Sequence, residues 1–189
     1  MDPETSPIPA EAPESPSPSR AALAWLRDLS FSVVIAVVII LFLYQPVKVE
    51  GTSMMPALVD QERIFINKFI YRFGFAEINR GDTVVFWFPG DTSKSYIKRV
   101  IGVPGDTVQV SNGQVLVNGE PLAEPYVPEE YRDQSSSAAM TVPPNEYYVL
   151  GDHRSSSNDS RTWGNVPRGF IYGKAVFVYW PLDRLGLLP

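Results

Sequence analysis

Cysteine is absent from this 189-residue chain. That removes a thiol nucleophile, a thiolate-ligated metal and a disulfide framework at once. Histidine is nearly absent: His153 is the single copy, so a histidine-rich metal site cannot be built in one chain, and any Ser-His-Asp triad would have to use that residue. Basic residues are few and dispersed, 16 Lys and Arg against 21 Asp and Glu, for a formal charge of −5. Nucleic-acid binding therefore lacks electrostatic support.

Apolar residues make up 44% of the chain, enough for one folded domain with a tail and an anchor. Residues 1–19 carry six prolines among Ser, Ala and Glu. Such composition cannot bury enough apolar surface to offset its ordering entropy. The reading is a disordered, Pro-rich cytoplasmic tail over 1–28. From Leu29 to Val47 no residue is charged. A helix of that length, at ~1.5 Å per residue, spans about 28 Å, close to the hydrocarbon thickness of a bilayer. A cleaved signal peptide would be shorter, earlier and end in small residues; here bulky Phe42, Leu43 and Tyr44 close the run. The expectation is a transmembrane helix over 29–47. Arg20 and Arg27 precede it and Lys48 follows, which favours a cytoplasmic N-terminus and a translocated C-terminal domain.

The texture then changes. ERIFINKF, DTVVFWF, KSYIKRVIG, DTVQV, QVLVNG, EYYVLGD and GKAVFVYW are short and rich in β-branched and aromatic residues. Asn112-Gly113 marks a tight hairpin. Residues 121–145, with five prolines and a Ser run, form a loop-rich excursion. The expected fold is mainly β: an antiparallel sheet, partly closed into a barrel, over 48–189, with a hairpin and loop-rich insertion at about 107–145.

Three segments carry chemistry. In Glu50-Gly51-Thr52-Ser53-Met54-Met55-Pro56, Gly51 permits a sharp turn and Pro56 stiffens the exit. Ser53 can present its hydroxyl beside its own backbone N–H, an arrangement suited to acyl transfer. In Ser95-Tyr96-Ile97-Lys98-Arg99-Val100, strand alternation puts Tyr96, Lys98 and Val100 on one face and sends Arg99 to the other, toward solvent. An exposed lysine, with pKa ~10.4, is protonated and cannot serve as a base. A base working near neutrality needs roughly 3–5 kcal/mol of burial penalty. The third segment, Gly151-Asp152-His153-Arg154-Ser155-Ser156-Ser157-Asn158-Asp159-Ser160-Arg161, is dense in polar groups. Asp159 and Arg161 are near enough in sequence to pair, which leaves Ser157 to orient the Lys98 amine.

GTSMMPAL (51–58), RGDTVVF (80–86), YIKRVIGVPGD (96–106) and GDHRSSSNDSR (151–161), in this order behind an apolar span, resemble the catalytic-domain boxes of the type I signal peptidases. The resemblance covers about 140 residues. It implies a membrane-anchored serine endopeptidase that removes signal peptides after small residues, in an Ala-X-Ala-like pattern, on the outer side of the membrane. It implies Ser53 as nucleophile and oxyanion donor, Lys98 as general base, Ser157 as the lysine's hydrogen-bond partner and Asp159–Arg161 as a supporting ion pair. Met54 falls where the family has a methionine beside the nucleophile, and Pro56, Phe86, Tyr96 and Ile97 are further candidates for substrate contact. The implied partners are signal-peptide-bearing preproteins, the lipid bilayer and the secretion translocon, with no metal or organic cofactor and no nucleic acid.

Two positions depart from the family pattern. Gly51 stands where some members carry a serine whose hydroxyl serves the oxyanion hole, a role that falls to Thr52 or water. His153 stands where an Asn is common, and is read as a substitution, not a base. Two alternatives compete: an inactive β-domain that binds preproteins without turnover, and a self-cleaving Ser–Lys protease. The Val47–Ser53 interval, at most ~20 Å when extended, holds the serine near the bilayer surface. Of Phe86, Trp87 and Phe88, one strand face cannot bury all three, so part of this aromatic surface is expected to meet lipid or substrate.

Overall fold

A computed structural model describes residues 18–72 and 76–188. The expected tail over residues 1–17 lies outside the described residues. The chain divides into two compact units, residues 1–39 and 40–189. The first contains most of helix α1 (Pro18–Leu43), whose window Ala21–Ile39 is long and apolar enough to cross a membrane.

The helix corrects the expected boundaries of 29–47 at both ends. It begins earlier because Ala21, Ala22, Leu23 and Ala24 are strong helix formers, and because Arg27 and Asp28 pair their side chains at 2.8 Å without interrupting it. It ends at Leu43 because Pro46 disfavours the helical conformation for the residue before it. Tyr44–Lys48 instead form strand β1, an outer strand of the first sheet, where the missing proline N–H costs no ladder bond.

The second unit is built on two antiparallel sheets. The first contains β1, β2 (Arg63–Asn67), β3 (Thr83–Phe88), β4 (Asp91–Gly102), β9 (Glu146–Leu150), β10 (Val166–Pro167) and β11 (Ile171–Trp180), in the order β1-β2-β11-β3-β4-β9-β10, with β12 (Gly186–Leu187) on β11. The second contains β5 (Thr107–Ser111), β6 (Gln114–Val117), β7 (Glu120–Pro121) and β8 (Ser137–Thr141), in the order β7-β6-β5-β8. The expected mainly β, antiparallel domain is what forms. The ladder stays open, with β1 and β10 as its outer strands and no closed barrel.

Alternation builds the core. Val84 and Phe86 of β3 enter one apolar cluster with Val100, Val149 and Ile171. Val85, on the opposite face, joins Val49, Met54, Leu58, Ile64 and Ile66. The β5–β6 hairpin turns at Asn112 and Gly113, both at positive φ (48° and 79°), as the Asn-Gly pair dictates. Its valines, Val108, Val110, Val115 and Val117, pack with Ile101, Tyr148 and Leu150 into a third cluster.

Gly113 is constrained twice: by its φ, and because a Cβ there would lie 1.9 Å from the Asp133 carbonyl oxygen. Gly119, at φ +85°, faces open space. Gly113→Ala should therefore destabilise by about 1–3 kcal/mol more than Gly119→Ala, read as the difference in denaturation midpoints. Equal losses would mean that the insertion does not press on this turn.

Candidate active site

The loop bearing Ser53 is fixed from both ends. Val49 N–H donates to the Glu62 carbonyl at 2.7 Å and Gln61 N–H to the Val49 carbonyl at 2.9 Å. Gly51 turns at φ +94°, and its N–H donates to Asp60 Oδ1 at 2.7 Å. Beyond the serine, Met54 and Leu58 are buried in the apolar cluster, which anchors the exit. Ser53 thus sits on a short bridge between a pinned turn and a buried methionine. Its carbonyl accepts from His153 N–H at 3.1 Å, tying the loop to the 151–161 segment. Its own N–H has no acceptor among the described residues.

Lys98 approaches from β4 and is only 4% exposed. Its Nζ lies 2.6 Å from Ser53 Oγ and 3.1 Å from the Ile97 carbonyl oxygen, and 5.4 Å above the Tyr96 ring. Burial disfavours its charged form and pushes the pKa down to about 8; the Asp159 and Asp152 carboxylates pull the other way. A neutral amine at this distance can accept the hydroxyl proton, and an ammonium can donate to the same oxygen.

The 151–161 loop packs against both residues. Asp159 is fully buried and receives Gly151 N–H at 3.1 Å and two nitrogens of Arg161 at 2.8 and 2.9 Å. The expected ion pair is therefore present. Ser157 differs from expectation: its Oγ is buried without a hydrogen-bond partner among the described residues. The amine it was expected to orient is instead directed at Ser53 and at the carbonyl of Ile97. His153 puts Nδ1 3.2 Å from the Thr52 carbonyl oxygen and its ring edge against Tyr131.

Arg99 does not reach solvent. It is 2% exposed, pairs with both oxygens of Asp152 at 2.9 and 2.7 Å, and lies 4.2 Å over the Tyr126 ring. The reason is tertiary: the insertion covers the face of β4 that alternation alone assigns to water. The same insertion sends Glu124 to Arg154, with oxygens 2.8 and 2.5 Å from the guanidinium, both residues 2% exposed at the side chain. It also sends Asp133 and Ser135 to Arg161, at 2.7 and 3.0 Å. Arg154 and Arg161 belong to the polar segment already singled out, but no local signal in the sequence marks Glu124 as the partner of the first or Asp133 as a partner of the second.

A cleft of about 420 Å³ opens beside the Ser53–Lys98 contact. Val47, Val49, Val85, Ile97 and Tyr172 form its apolar walls. Met54 and Tyr96 line it as well, so with Ile97 three of the five substrate-contact candidates are there, and Thr52 is on the wall too. Phe86 is not: it is fully buried, packed on Tyr96 and Trp163, because it shares the inward face of β3 with Val84. Pro56 is not: after buried Met54 the chain turns away, and the Pro56 carbonyl accepts from Arg184. Along the cleft β4 is an open edge. It pairs with β3 from Ser95 to Arg99, but β9 joins only from Arg99 onward.

Residues 22–180 match the family model described as signal peptidase, peptidase S26. A signal peptidase I from Leptolyngbya laminosa is 38% identical, covering 97% of this chain and 94% of its own. Signal peptidase I T from Bacillus subtilis is also 38% identical, over 86% of this chain and 88% of its own. A crystal structure of a signal peptidase I from Enterococcus faecalis is 31% identical and covers 52% of this chain and 97% of that one, with a TM-score of 0.46.

Removing one partner of a buried ion pair strands the other charge, at about 3–5 kcal/mol. Glu124→Ala should therefore cost that much stability, while Glu129→Ala, whose carboxylate is exposed, should change it by under about 1 kcal/mol. Chemical denaturation of the two variants decides it; comparable small losses would show that the Glu124–Arg154 pair does not hold the loop.

Proposed function

The chain belongs to the signal peptidases of peptidase family S26, serine hydrolases, and on that premise we propose that Ser53 and Lys98 are its catalytic dyad, cutting membrane-bound preproteins behind small residues. The observation that carries this reading is the 2.6 Å approach of Lys98 Nζ to Ser53 Oγ with the lysine 4% exposed.

Ser53 Oγ attacks the scissile carbonyl and passes its proton to neutral Lys98. The oxyanion that forms is met by the unpartnered Ser53 N–H. Gly51 adds no donor, having no side chain and having its N–H engaged by Asp60; the Thr52 hydroxyl, on the wall of the same cleft, is the second donor in this reading. Lys98 then returns the proton to the leaving amine, which leaves an ester on Ser53. A water deprotonated by Lys98 hydrolyses that ester.

The substrate enters as an extended strand between the open edge of β4 at Ser95–Lys98 and the segment Val47–Gly51, making main-chain bonds on both sides. Its alternate side chains meet Val49, Met54, Val85 and Ile97. These walls favour small groups, because a larger one would have to displace buried valines. Asp159–Arg161 braces the loop behind the dyad. The unpaired Ser157 hydroxyl gains Lys98 as a partner once the amine releases Ser53 to the substrate.

Helix α1 is the membrane anchor in this reading, with the N-terminus cytoplasmic and the β domain on the outer side. Its window Ala21–Ile39 has the length and composition for this, and the pairing of Arg27 with Asp28 lowers the cost of holding both charges at the start of the span.

Preprotein cleavage in detergent should disappear in Ser53→Ala and Lys98→Met; full cleavage by either variant rejects the dyad, and binding without turnover by the wild type favours an inactive relative. The rate should rise with pH up to about 8, falling about tenfold per unit below it, because only the neutral amine is a base. Stability should move with the same group. The folded state holds this proton less tightly than the unfolded chain, so the penalty is complete below about pH 8 and is relieved between about 8 and 10.5. Lys98→Met should therefore be more stable than wild type at pH 7, by about 3 kcal/mol, while losing all activity. A variant that is both inactive and strongly destabilised would contradict this.

A further inference from the structure

A second cleft, of about 730 Å³, adjoins the first and shares with it only Ser95 and Tyr172. Its lining combines two cations, Lys68 and Arg168, with Gln45, Trp87 and the shared pair, and includes no Asp or Glu. Neither cation has an ion-pair partner among the described residues. The Arg168 guanidinium is held by neutral groups: it donates to the Tyr71 carbonyl at 2.8 Å and to the Ile171 carbonyl at 3.4 Å, and lies 5.5 Å over the Tyr71 ring. Lys68 Nζ stands 5.7 Å over the Tyr172 ring. Beyond Tyr71, the carboxylate of Asp82 is already taken by Lys174, the Tyr71 hydroxyl and Asn79 N–H.

Two fixed positive charges in a concave site without a counter-charge call for an anion. The aromatic groups narrow its kind. Trp87 is 44% exposed and packs on Tyr172 at 5.0 Å, and Tyr172 is the bulged residue of β11, the extra one between Ile171 and Gly173 in the register with β3. A bulge re-aims a side chain, and here it aims the ring between the two clefts. Exposed Trp with Tyr beside Lys and Arg is the composition of a membrane–water boundary, whereas a small inorganic anion has no use for the rings. Position agrees: Gln45, on the cleft wall, is two residues beyond Leu43, the end of α1, so its Cα is within about 7 Å of that point along the chain.

We infer that this cleft binds the phosphodiester headgroup of an anionic phospholipid, which seats the β domain on the bilayer with the peptidase cleft beside it. The inference rests on α1 as the anchor. Lys68 and Arg168 hold the phosphate, Gln45 and Ser95 donate to its remaining oxygens, and Trp87 lies along the glycerol backbone.

The test uses the full chain, exchanged in mild detergent against an equimolar mixture of phosphatidylglycerol and phosphatidylcholine, with retained lipid counted by native mass spectrometry. Wild type should keep one phosphatidylglycerol in preference to phosphatidylcholine by roughly 10- to 30-fold, as two juxtamembrane cations predict. Lys68→Gln should lose part of that preference and Lys68→Gln with Arg168→Gln nearly all of it. Both should still cleave a short soluble peptide at the wild-type rate, which shows that they are folded and separates this test from that of the dyad. Equal retention of the two lipids by wild type, or an undiminished preference in the double variant, overturns the inference. Displacement of the lipid by millimolar inorganic phosphate also overturns it, in favour of a free-anion site.

Discussion

The proposed chemistry depends on one constraint: an amine must be kept out of water while still touching an alcohol. Lys98 meets it by lying 4% exposed against Ser53. Burial works against Asp159 and Asp152, which both act to restore the proton. Each is matched by an arginine, Asp159 by Arg161 and Asp152 by Arg99, in pairs that use both carboxylate oxygens. The carboxylates spend much of their field on those guanidiniums, and desolvation decides the sign for the lysine.

That arrangement explains why the loop-rich insertion matters to a site it does not line. Glu124 neutralises Arg154, and Asp133 with Ser135 caps Arg161. Without these partners the 151–161 loop would carry a buried Arg154 with no carboxylate against it and an Arg161 left with Asp159 alone. The loop in turn holds Ser53 through His153 N–H. The second sheet and its connections thus act on the serine through a chain of buried charge pairs, each of which would be costly if left incomplete.

Much of this was legible in the sequence. The strands at 63–67, 83–88, 114–117 and 146–150 lie inside the apolar, β-branched runs that mark them, the strand at 107–111 runs one residue past its own, and the Asn112-Gly113 turn is where its residues place it. Ser53, Lys98, Asp159 and Arg161 come together from segments separated by up to about a hundred residues, which spacing alone could not predict; the ordered motifs could. What escaped were effects of tertiary context. Arg99 alternates outward on its strand, yet the insertion covers it. Phe86 looked available in a row of three aromatics, yet its alternate neighbour Val84 shows which face is the core. The apolar run into Val47 hid the change from helix to strand at Tyr44, for which Pro46 was the available signal.

The lysine itself can be observed. With 13Cε-labelled lysine and Lys98 assigned through Lys98→Met, the NMR titration of the full chain in detergent reports its protonation directly. A midpoint near 8, well below the ordinary lysine value of ~10.4, is expected. A Lys98 resonance that titrates at the ordinary lysine value of ~10.4 would mean that the amine is an ordinary cation at neutral pH, and the proposed dyad would have no base.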